Sequence, residues 1–319
     1  MLRIRKVLAQ NIFIIILIPF IFLFYRFPCC TREPSITTEK SVELYCRNRT
    51  SNIKGINQYL IYVPNLKTLG CIVPKVAATN MFRIFYASVF NVNRSMEETD
   101  NWFRQFDRFD VWTKLQPNLT NLFISKNANL SIIATDQNIF RFLFVRHPLR
   151  RLHSAYHDRF NNTKRDATGD AWNYERNRIL KYMNKSNKDL LDFRTFLLYI
   201  ITCIRHRDPM HDHWDAITNL CEICSIHYDF IRKIENMAED GPKLLGRLNL
   251  SNRIRFPSWK LDDRTKKIMT DDEVAQLFRE TLKNDNDFRV LIDYYRGDFE
   301  AFNYPIPSTI KLIYISNMK

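Results

Sequence analysis

The residues best suited to chemistry are an arginine and a serine eight positions apart, Arg146 and Ser154. The apolar run at 142–145 just before the arginine predicts a buried strand. Basic and apolar residues follow, and Pro148 is typical of a helix start. Arg146 is therefore expected at the carboxyl end of a strand, where open α/β sheets bind ligands. An arginine, a hydroxyl and a helix start together suit a phosphate monoester; the alternative is an ordinary strand–helix turn with solvated arginines.

A second segment combines a lysine with the predicted start of another helix. Residues 69–73 form a short apolar run that predicts a strand, and the apolar spacing after position 80 predicts a helix with one apolar face. Thr79 or Asn80 is expected to cap that helix. Backbone N–H groups at its start are expected to hold a phosphate-like group, while Lys75 supplies a point charge. The sequence contains no G-x-x-x-x-G-K-[ST] run, so the kinase and ATPase fingerprint is absent.

These two segments resemble the cofactor-binding motifs of Golgi carbohydrate sulfotransferases, in the group that sulfates chondroitin, dermatan and the HNK-1 glycan. The resemblance rests on PKVAATN at 74–80 and FVRHPLRRLHSAY at 144–156. It continues through HW at 213–214, LCEIC at 220–224, YDFI at 228–231 and YYRGDFEAFNY at 294–304, and so spans roughly 59–312. Three positions depart from the usual motifs: Ala78 replaces a cysteine, Met81 replaces an aromatic residue, and His147 replaces a glutamate.

The resemblance implies a donor and a set of binding residues. In that family the first motif binds the 5′-phosphosulfate of PAPS (3′-phosphoadenosine 5′-phosphosulfate), and the second binds its 3′-phosphate. The implied cofactor-binding residues are Pro74, Lys75, Val76, Ala77, Ala78, Thr79, Asn80, Arg146, Arg150, Arg151 and Ser154. The implied reaction moves a sulfuryl group from PAPS to a hydroxyl of a chondroitin-like, dermatan-like or related glycoprotein glycan. Backbone N–H groups and cationic side chains can neutralise the transferring group, so no metal is expected.

Two residues are expected to act in the transfer itself. Lys75 is expected to stabilise negative charge on the departing phosphate as the bridging bond breaks. The acceptor hydroxyl also needs a group that takes its proton. His213, in Asp212-His213-Trp214, titrates in a useful range and is the predicted base. A histidine beside a tryptophan is equally compatible with a core position, and His147 in the second motif is the alternative base.

The elements that must position these residues alternate along the chain. Strands are predicted at 59–63, 69–73, 142–145 and 228–234, and further helices at 191–203, 272–283 and 287–302. The first two strands are expected to pair across a turn at Pro64-Asn65. This alternation predicts an α/β fold, with a mostly parallel sheet flanked by helices and a P-loop-like site for PAPS.

The N-terminus has the pattern of a membrane anchor. Basic residues at positions 3, 5 and 6 precede an apolar stretch, and residues 7–27 are about long enough to cross a bilayer. Positive charge before the stretch predicts a cytosolic tail at 1–6, a stem at 28–56 and a lumenal sulfotransferase domain at 57–319. With the resemblance, this predicts a single-pass type II protein of the Golgi membrane. A cleaved signal peptide is the alternative, although residues 28–32 offer no convincing cleavage site.

Sequons and cysteines fit the same compartment. The predicted glycosylation sites are Asn48, Asn93, Asn118, Asn129, Asn184 and Asn249, while a seventh sequon, Asn161, closely follows the second motif. The chain has seven cysteines, so in an oxidising lumen at least one is free or joins another chain. Cys221 and Cys224 are expected in structural disulfides, with Cys71 or Cys203 as candidate partners. Cys29 and Cys30 are placed to link two chains into a homodimer.

The formal net charge of +14 favours anionic partners. It is expected to attract PAPS and an acidic glycan or proteoglycan acceptor. Nucleic-acid binding is not expected, because no zinc-finger spacing or RNA-binding motif occurs. A type II membrane glycosyltransferase is the alternative enzyme, since Asp285-Asn286-Asp287 has the D-x-D spacing of a metal site, although its position between two predicted helices favours a solvated turn. The third alternative is a non-catalytic relative of the sulfotransferases that binds glycans.

Overall fold

A four-stranded sheet carries both sequence motifs. The structure, a computed structural model, describes residues 37–49, 59–90, 95–105, 111, 114, 130–160, 169–257 and 269–307. Its strands are β1 (Leu60–Val63), β2 (Thr68–Cys71), β3 (Phe140–Val145) and β4 (Phe230–Lys233). They lie side by side in chain order, β1 antiparallel to β2, and β2, β3 and β4 mutually parallel.

The sheet is therefore mixed, and the predicted parallel character holds for β2, β3 and β4. A short 3₁₀ helix, Pro64–Leu66, joins β1 to β2. So short a connection permits antiparallel pairing only, because parallel strands need a crossover of a dozen or more residues. The predicted hairpin with its turn at Pro64-Asn65 is confirmed.

Helices flank this sheet. Within the described ranges they are α1 (Thr38–Cys46), α2 (Ala78–Phe90), α3 (Met96–Gln105), α4 (Leu130–Thr135), α5 (Pro148–Arg159), α6 (Gly169–Tyr182), α7 (Phe193–His206), α8 (Ile217–Leu220), α9 (Met237–Arg247), α10 (Asp271–Leu282), α11 (Asp285–Tyr294) and α12 (Arg296–Ala301). The helix predicted at 287–302 is thus two helices, which meet at Tyr295. The capping prediction for α2 is also wrong, because the helix begins at Ala78 and leaves Thr79 and Asn80 inside its first turn.

Strand β3 forms the centre of the core. Its residues from Phe142 to Val145 are all buried, as expected of a strand covered on both faces. Phe85 of α2 meets the Phe142 ring edge-on at 5.9 Å, and Phe230 of β4 meets Phe144 at 6.0 Å. Full burial of each such side chain contributes about 1.5–3 kcal/mol of hydrophobic stabilisation. This packing fixes the end of β3, from which Arg146 emerges.

Residues predicted to belong to an irregular stem form part of the fold. Helix α1 lies within the predicted stem at 28–56, and its Val42 is buried. The Ser41 hydroxyl donates to the Glu300 carbonyl at 3.0 Å, and the Glu39 carboxylate accepts from the Ile231 amide of β4 at 2.9 Å. The stem prediction is therefore wrong for this helix, because contacts distant in sequence hold it in place.

Two disulfides join distant parts of the chain, Cys46–Cys224 and Cys71–Cys221. Both cysteines of the C-x-x-C pair are therefore disulfide-bonded, as predicted, and Cys71 is the partner of Cys221. Cys203 is a buried free thiol, so its proposed pairing is wrong. The Cys71–Cys221 bridge fastens the end of β2 to the segment that follows His213. Cys29 and Cys30 lie outside the described residues, and the covalent homodimer stays a prediction.

The predicted tail and anchor, residues 1–6 and 7–27, also lie outside the described residues. Within the ranges that are described, no helix combines the length and the apolar character that a membrane span requires.

Candidate active site

The two motifs meet because β2 and β3 are parallel neighbours. Cys71 pairs with Leu143 in the strand register, so the carboxyl ends of both strands lie at the same edge of the sheet. The loop before α2 and the start of α5 follow directly from those ends. The topology thus brings two helix N-termini to one place, which is where open α/β sheets bind ligands.

The loop between β2 and α2 has a strained backbone. Lys75 and Ala77 both have positive φ, 70° and 56°. Residues with a Cβ adopt this left-handed region at a cost of order 1–3 kcal/mol, and such strain persists only where the surroundings fix it. The buried side chain of Val76 anchors the loop between them. Loops strained in this way cluster at ligand sites.

Two arginines of the second motif hold this loop by its carbonyl groups. Arg146 donates from Nη1 to the Lys75 carbonyl at 3.0 Å, and Arg151 donates from Nε to the Pro74 carbonyl at 3.1 Å. Arg151 also donates to the backbone carbonyls of Asp212, at 2.8 Å, and Asp215. With only 1% of its surface exposed, Arg151 ties the loop to the turn that carries His213. The structure therefore gives Arg151 a supporting place behind the loop, not a face toward a ligand.

A cavity of about 220 Å³ opens above the loop. It is lined by Pro74, Lys75, Ala77, Ala78, Thr79, Arg146, Ser154, Arg159, His213 and Ile234. Both sequence motifs and the predicted base thus share one cavity. The predicted site residues outside this lining are Val76, Asn80, Arg150 and Arg151.

Three of those residues have other contacts. Val76 is packed in the core. The side-chain amide of Asn80 donates to the Pro257 carbonyl at 2.9 Å. Arg150 forms an ion pair with Asp271 at the start of α10, with 2.9 Å between Nη2 and Oδ1.

The sequence analysis missed two charged residues here: Arg159, which lines the cavity, and Asp158, which contacts the lining residue Lys75. Asp158 Oδ2 is 2.7 Å from Lys75 Nζ and 3.4 Å from Arg159 Nε. Asp158 follows Ser154 by four positions on α5, a spacing that puts both on one helix face. The sequence could have indicated Asp158 through this spacing, because Asp158 lies one turn beyond Ser154 on the helix face that was predicted to bind the ligand.

Lys75, Asp158 and Arg159 form a row of charged side chains, and His213 lies next to Arg159 at its end. Its Nε2 is 3.3 Å from Arg159 Nη2, and its ring meets Trp172 edge-on at 4.6 Å. Because an arginine only donates, Nε2 is the accepting nitrogen and the ring proton resides on Nδ1. Burial lowers the pKa of His213 well below 6.5, and the nearby cations Arg159 and Lys75 lower it further. The imidazole is therefore neutral near pH 7, the state that a proton acceptor requires.

The alternative base, His147, is enclosed away from the cavity. Its side chain is 1% exposed and packs edge-on against the rings of Phe299 and Tyr304, each at 5.3 Å. Burial lowers the pKa of His147 to about 4. Its nearest carboxylate oxygen among the described ion pairs is Asp271 Oδ1, at 3.9 Å from Nε2. These contacts describe a core residue and not one that meets a substrate.

The D-x-D triplet lies in the first turn of α11, where a solvated turn was expected. The backbone N–H of Asp287 donates to Asn284, the cap of this helix. Asp285 pairs with Arg279 at 2.7 Å, and Asp287 pairs with Arg205 at 2.5 Å. Both carboxylates are thus engaged by arginines. Across the residues that the structure describes, no group of three or more His, Cys, Asp or Glu side chains is arranged to hold a metal ion.

Three predicted glycosylation sites fall within the described residues: Asn48, Asn184 and Asn249. All three are exposed, as a modified asparagine must be. The sequons at Asn93, Asn118 and Asn129, and the one at Asn161, lie outside the described residues.

A family profile and several similar known proteins all indicate the same family. A profile described as "Sulfotransferase family" matches residues 58–305. Carbohydrate sulfotransferase 11 of Rattus norvegicus is 26% identical over 270 residues, covering 80% of this chain and 69% of the relative. Carbohydrate sulfotransferase 14 of Danio rerio is 27% identical (80% and 65% covered), and carbohydrate sulfotransferase 9 of Homo sapiens is 28% identical (77% and 53% covered). No solved structure matches the chain.

Proposed function

The chain belongs to the sulfotransferase family, and from this premise we propose that it transfers a sulfuryl group from PAPS to a hydroxyl of a glycan. The observation that carries the proposal is the cavity itself. Lys75, Arg146 and Arg159 line it together with the first turn of α2 and His213. Cations and helix N–H groups suit an anionic donor, and a neutral imidazole suits a hydroxyl acceptor. The glycosyltransferase alternative is rejected, because the family profile covers 58–305 and identifies a sulfotransferase.

The described cavity fits the phosphosulfate end of the donor. Its volume of about 220 Å³ is below the 300–1,000 Å³ typical of pockets that enclose a whole small ligand. Ala78 and Thr79 line it, and backbone N–H groups in the first turn of a helix lack intrahelical partners. These N–H groups and Lys75 are the groups proposed to hold the phosphosulfate. Arg146 and Ser154 are proposed to hold the 3′-phosphate.

In the proposed reaction, one side chain accepts the proton of the acceptor hydroxyl and another neutralises the charge on the leaving phosphate. A bond forms between the acceptor oxygen and sulfur while the bond from sulfur to the phosphate oxygen breaks. His213 accepts the hydroxyl proton at Nε2, and Lys75 neutralises the charge that grows on the departing phosphate. Arg159, 3.3 Å from that nitrogen, must release it as the acceptor binds.

The acceptor is proposed to be an acidic glycan of the chondroitin or dermatan type, or a related glycoprotein glycan. Two observations support this class. The relatives are named carbohydrate sulfotransferases, and the chain carries a formal net charge of +14, which favours association with a polyanion.

A direct transfer assay tests the function. We expect the full chain, incubated with ³⁵S-labelled PAPS, to move label to at least one member of a panel of desulfated chondroitin, desulfated dermatan and neutral glycoprotein glycans. Heat-inactivated protein provides the background. Labelling of an acidic glycan above a neutral one supports the acceptor class. No transfer to any glycan, with PAPS intact, makes the chain a non-catalytic relative.

We further propose a lumenal Golgi location, with residues 7–27 as an uncleaved anchor. Disulfides persist in oxidising compartments, and the described residues include two of them. In sealed microsomes, added protease is expected to leave the glycosylated bulk of the chain intact, and carbonate extraction is expected to leave the chain in the membrane. Detergent-opened microsomes are the control for protease activity. A soluble product that begins near position 31 would support the signal-peptide alternative instead.

A further inference from the structure

An acidic side chain, Asp158, contacts two of the cationic residues that line the cavity, Lys75 and Arg159. Asp158 Oδ2 is 2.7 Å from Lys75 Nζ, and the two side chains are only 16% and 12% exposed. At this depth the pair is poorly screened by solvent, so its electrostatic attraction is stronger than that of a surface pair. Lys75 is thus engaged by a protein carboxylate at the place where the donor's phosphate is proposed to bind.

The same carboxylate also contacts the arginine that lies beside the proposed base. Arg159 Nε is 3.4 Å from Asp158 Oδ2, and Arg159 Nη2 is 3.3 Å from His213 Nε2. Asp158 therefore lies between the lysine of the donor motif and the arginine beside the proposed base. Helix α5 carries both Asp158 and Arg159, so one helix end sets the spacing of the row.

This placement makes the carboxylate and an entering anion compete for the charge of Lys75. An ammonium group that already donates to a carboxylate at 2.7 Å has part of its charge neutralised, so it attracts a phosphate oxygen less strongly than a lysine without that partner would. The nearby carboxylate also repels the bound anion, and at this depth solvent screens that repulsion only weakly. Both effects reduce the affinity for a nucleotide phosphate, and both depend on the negative charge of Asp158.

We propose that Asp158 is a positioning residue that holds Lys75 in a resting place, from which the donor's phosphate displaces it and to which it returns as the product nucleotide leaves. The inference rests on the proposed function, because it takes the displacing anion to be the 5′-phosphate region of the donor. It assigns Asp158 no proton transfer. Two adjacent cations favour the charged form of a carboxylate and make it a weak base.

The first test measures affinity for the product nucleotide, 3′-phosphoadenosine 5′-phosphate, by calorimetry on the full chain kept in mild detergent. Asp158→Asn keeps the shape of the side chain and removes its charge, and we expect it to bind this nucleotide about tenfold more tightly. Asp285→Asn is the matched control, because the Asp285 carboxylate is also 2.7 Å from a cationic nitrogen, Arg279 Nε, but Arg279, unlike Lys75, does not line this cavity. Its affinity is expected to equal that of the wild type. An unchanged or weaker affinity for Asp158→Asn overturns the proposal.

The second test follows Lys75 without any nucleotide. Loss of the partner carboxylate lowers the pKa of an amine and so increases its reactive neutral fraction. Trace acetylation of the folded chain, read at Lys75 by mass spectrometry, is therefore expected to be several-fold faster in Asp158→Asn than in the wild type or in Asp285→Asn. Equal labelling rates contradict the resting contact. If Asp158→Asn folds poorly, as judged by Tm, Asp158→Ser makes the same charge change with a smaller side chain.

The two tests separate this inference from the proposed function. Failure of the wild type to bind the product nucleotide counts against PAPS as donor, while the acetylation rates still decide whether Asp158 holds Lys75. Normal nucleotide binding by the wild type, combined with equal affinity in Asp158→Asn, leaves the function in place and removes the role of Asp158.

Discussion

Replacement of Lys75 by alanine is expected to lower the rate of sulfuryl transfer by about 10²–10³-fold without unfolding the chain. The Lys75 ammonium lies at the cavity and pairs with Asp158, so its loss removes the proposed source of charge for the departing phosphate. Alanine has a Cβ as lysine does, so the backbone strain at φ 70° is the same in both proteins. The Pro74 and Lys75 carbonyls keep their arginine donors, because those bonds involve backbone atoms of the loop.

The measurement is the initial rate of transfer at limiting PAPS, together with the Tm of each variant. Lys243→Ala is the matched control, because Lys243 also pairs with an aspartate, Asp240, at 2.9 Å but is largely exposed. It is expected to keep wild-type transfer. Wild-type transfer by Lys75→Ala would remove this lysine from the proposed machinery.

A substitution at Arg146 is expected to be harder to interpret than one at Lys75, because Arg146 has two roles. Its guanidinium lines the cavity and also donates to the Lys75 carbonyl at 3.0 Å. Arg146→Ala is therefore expected to lose both transfer and some stability of the loop. Arg146→Lys is expected to transfer poorly as well, since a lysine does not reproduce a two-pronged contact to a phosphate.

The position of the motifs was predictable because local patterns place them. The continuous apolar run of β3 and the proline at the start of α5 put Arg146 at a strand end, and the structure confirms both elements. The same local reasoning put Lys75 in a loop before a helix. Parallel pairing of β2 with β3 then brings the two together, which a strand–helix alternation favours.

Local sequence patterns could not predict which of the two adjacent arginines on α5 points into the protein. Arg150 and Arg151 are adjacent on α5, and successive residues of a helix point about 100° apart. Arg151 points inward to three backbone carbonyls, whereas Arg150 points toward Asp271. Sequence spacing fixes the angle between them, but only tertiary packing decides which one turns inward.

Helix α1 was missed for a related reason. A helix of nine residues is marginal on its own, so its stability comes from tertiary contacts. Those contacts are distant in sequence: the Cys46–Cys224 disulfide spans 178 positions, and Ser41 bonds to Glu300. The ion pair between Lys75 and Asp158 was missed likewise, because its partners come from separate motifs.

The depressed pKa of His213 gives the proposed base a distinct pH signature. A base acts in its neutral form, so its activity is lost only as the pH falls through its own pKa, which lies well below 6.5. The wild-type turnover is therefore expected to stay level from pH 8 to below 6.5, and to fall only as the pH approaches the lowered pKa of His213. Stability has the same sign: the unfolded chain binds a proton near pH 6.5 and the folded chain does not, so the free energy of unfolding decreases as pH falls below that value.

His213→Gln is expected to lower turnover at saturating PAPS by about 10²–10⁴-fold while the affinity for the product nucleotide changes little. Glutamine accepts a hydrogen bond from Arg159 and has a similar size, but it does not take a proton at these pH values. Turnover is measured together with the Tm, with and without product nucleotide. Low turnover with an unchanged Tm identifies a base, and the remaining activity should lack the fall that the wild type shows near the lowered pKa of His213. A lowered Tm with a proportionate loss of activity would instead make His213 a structural residue, held between Trp172 and Arg159.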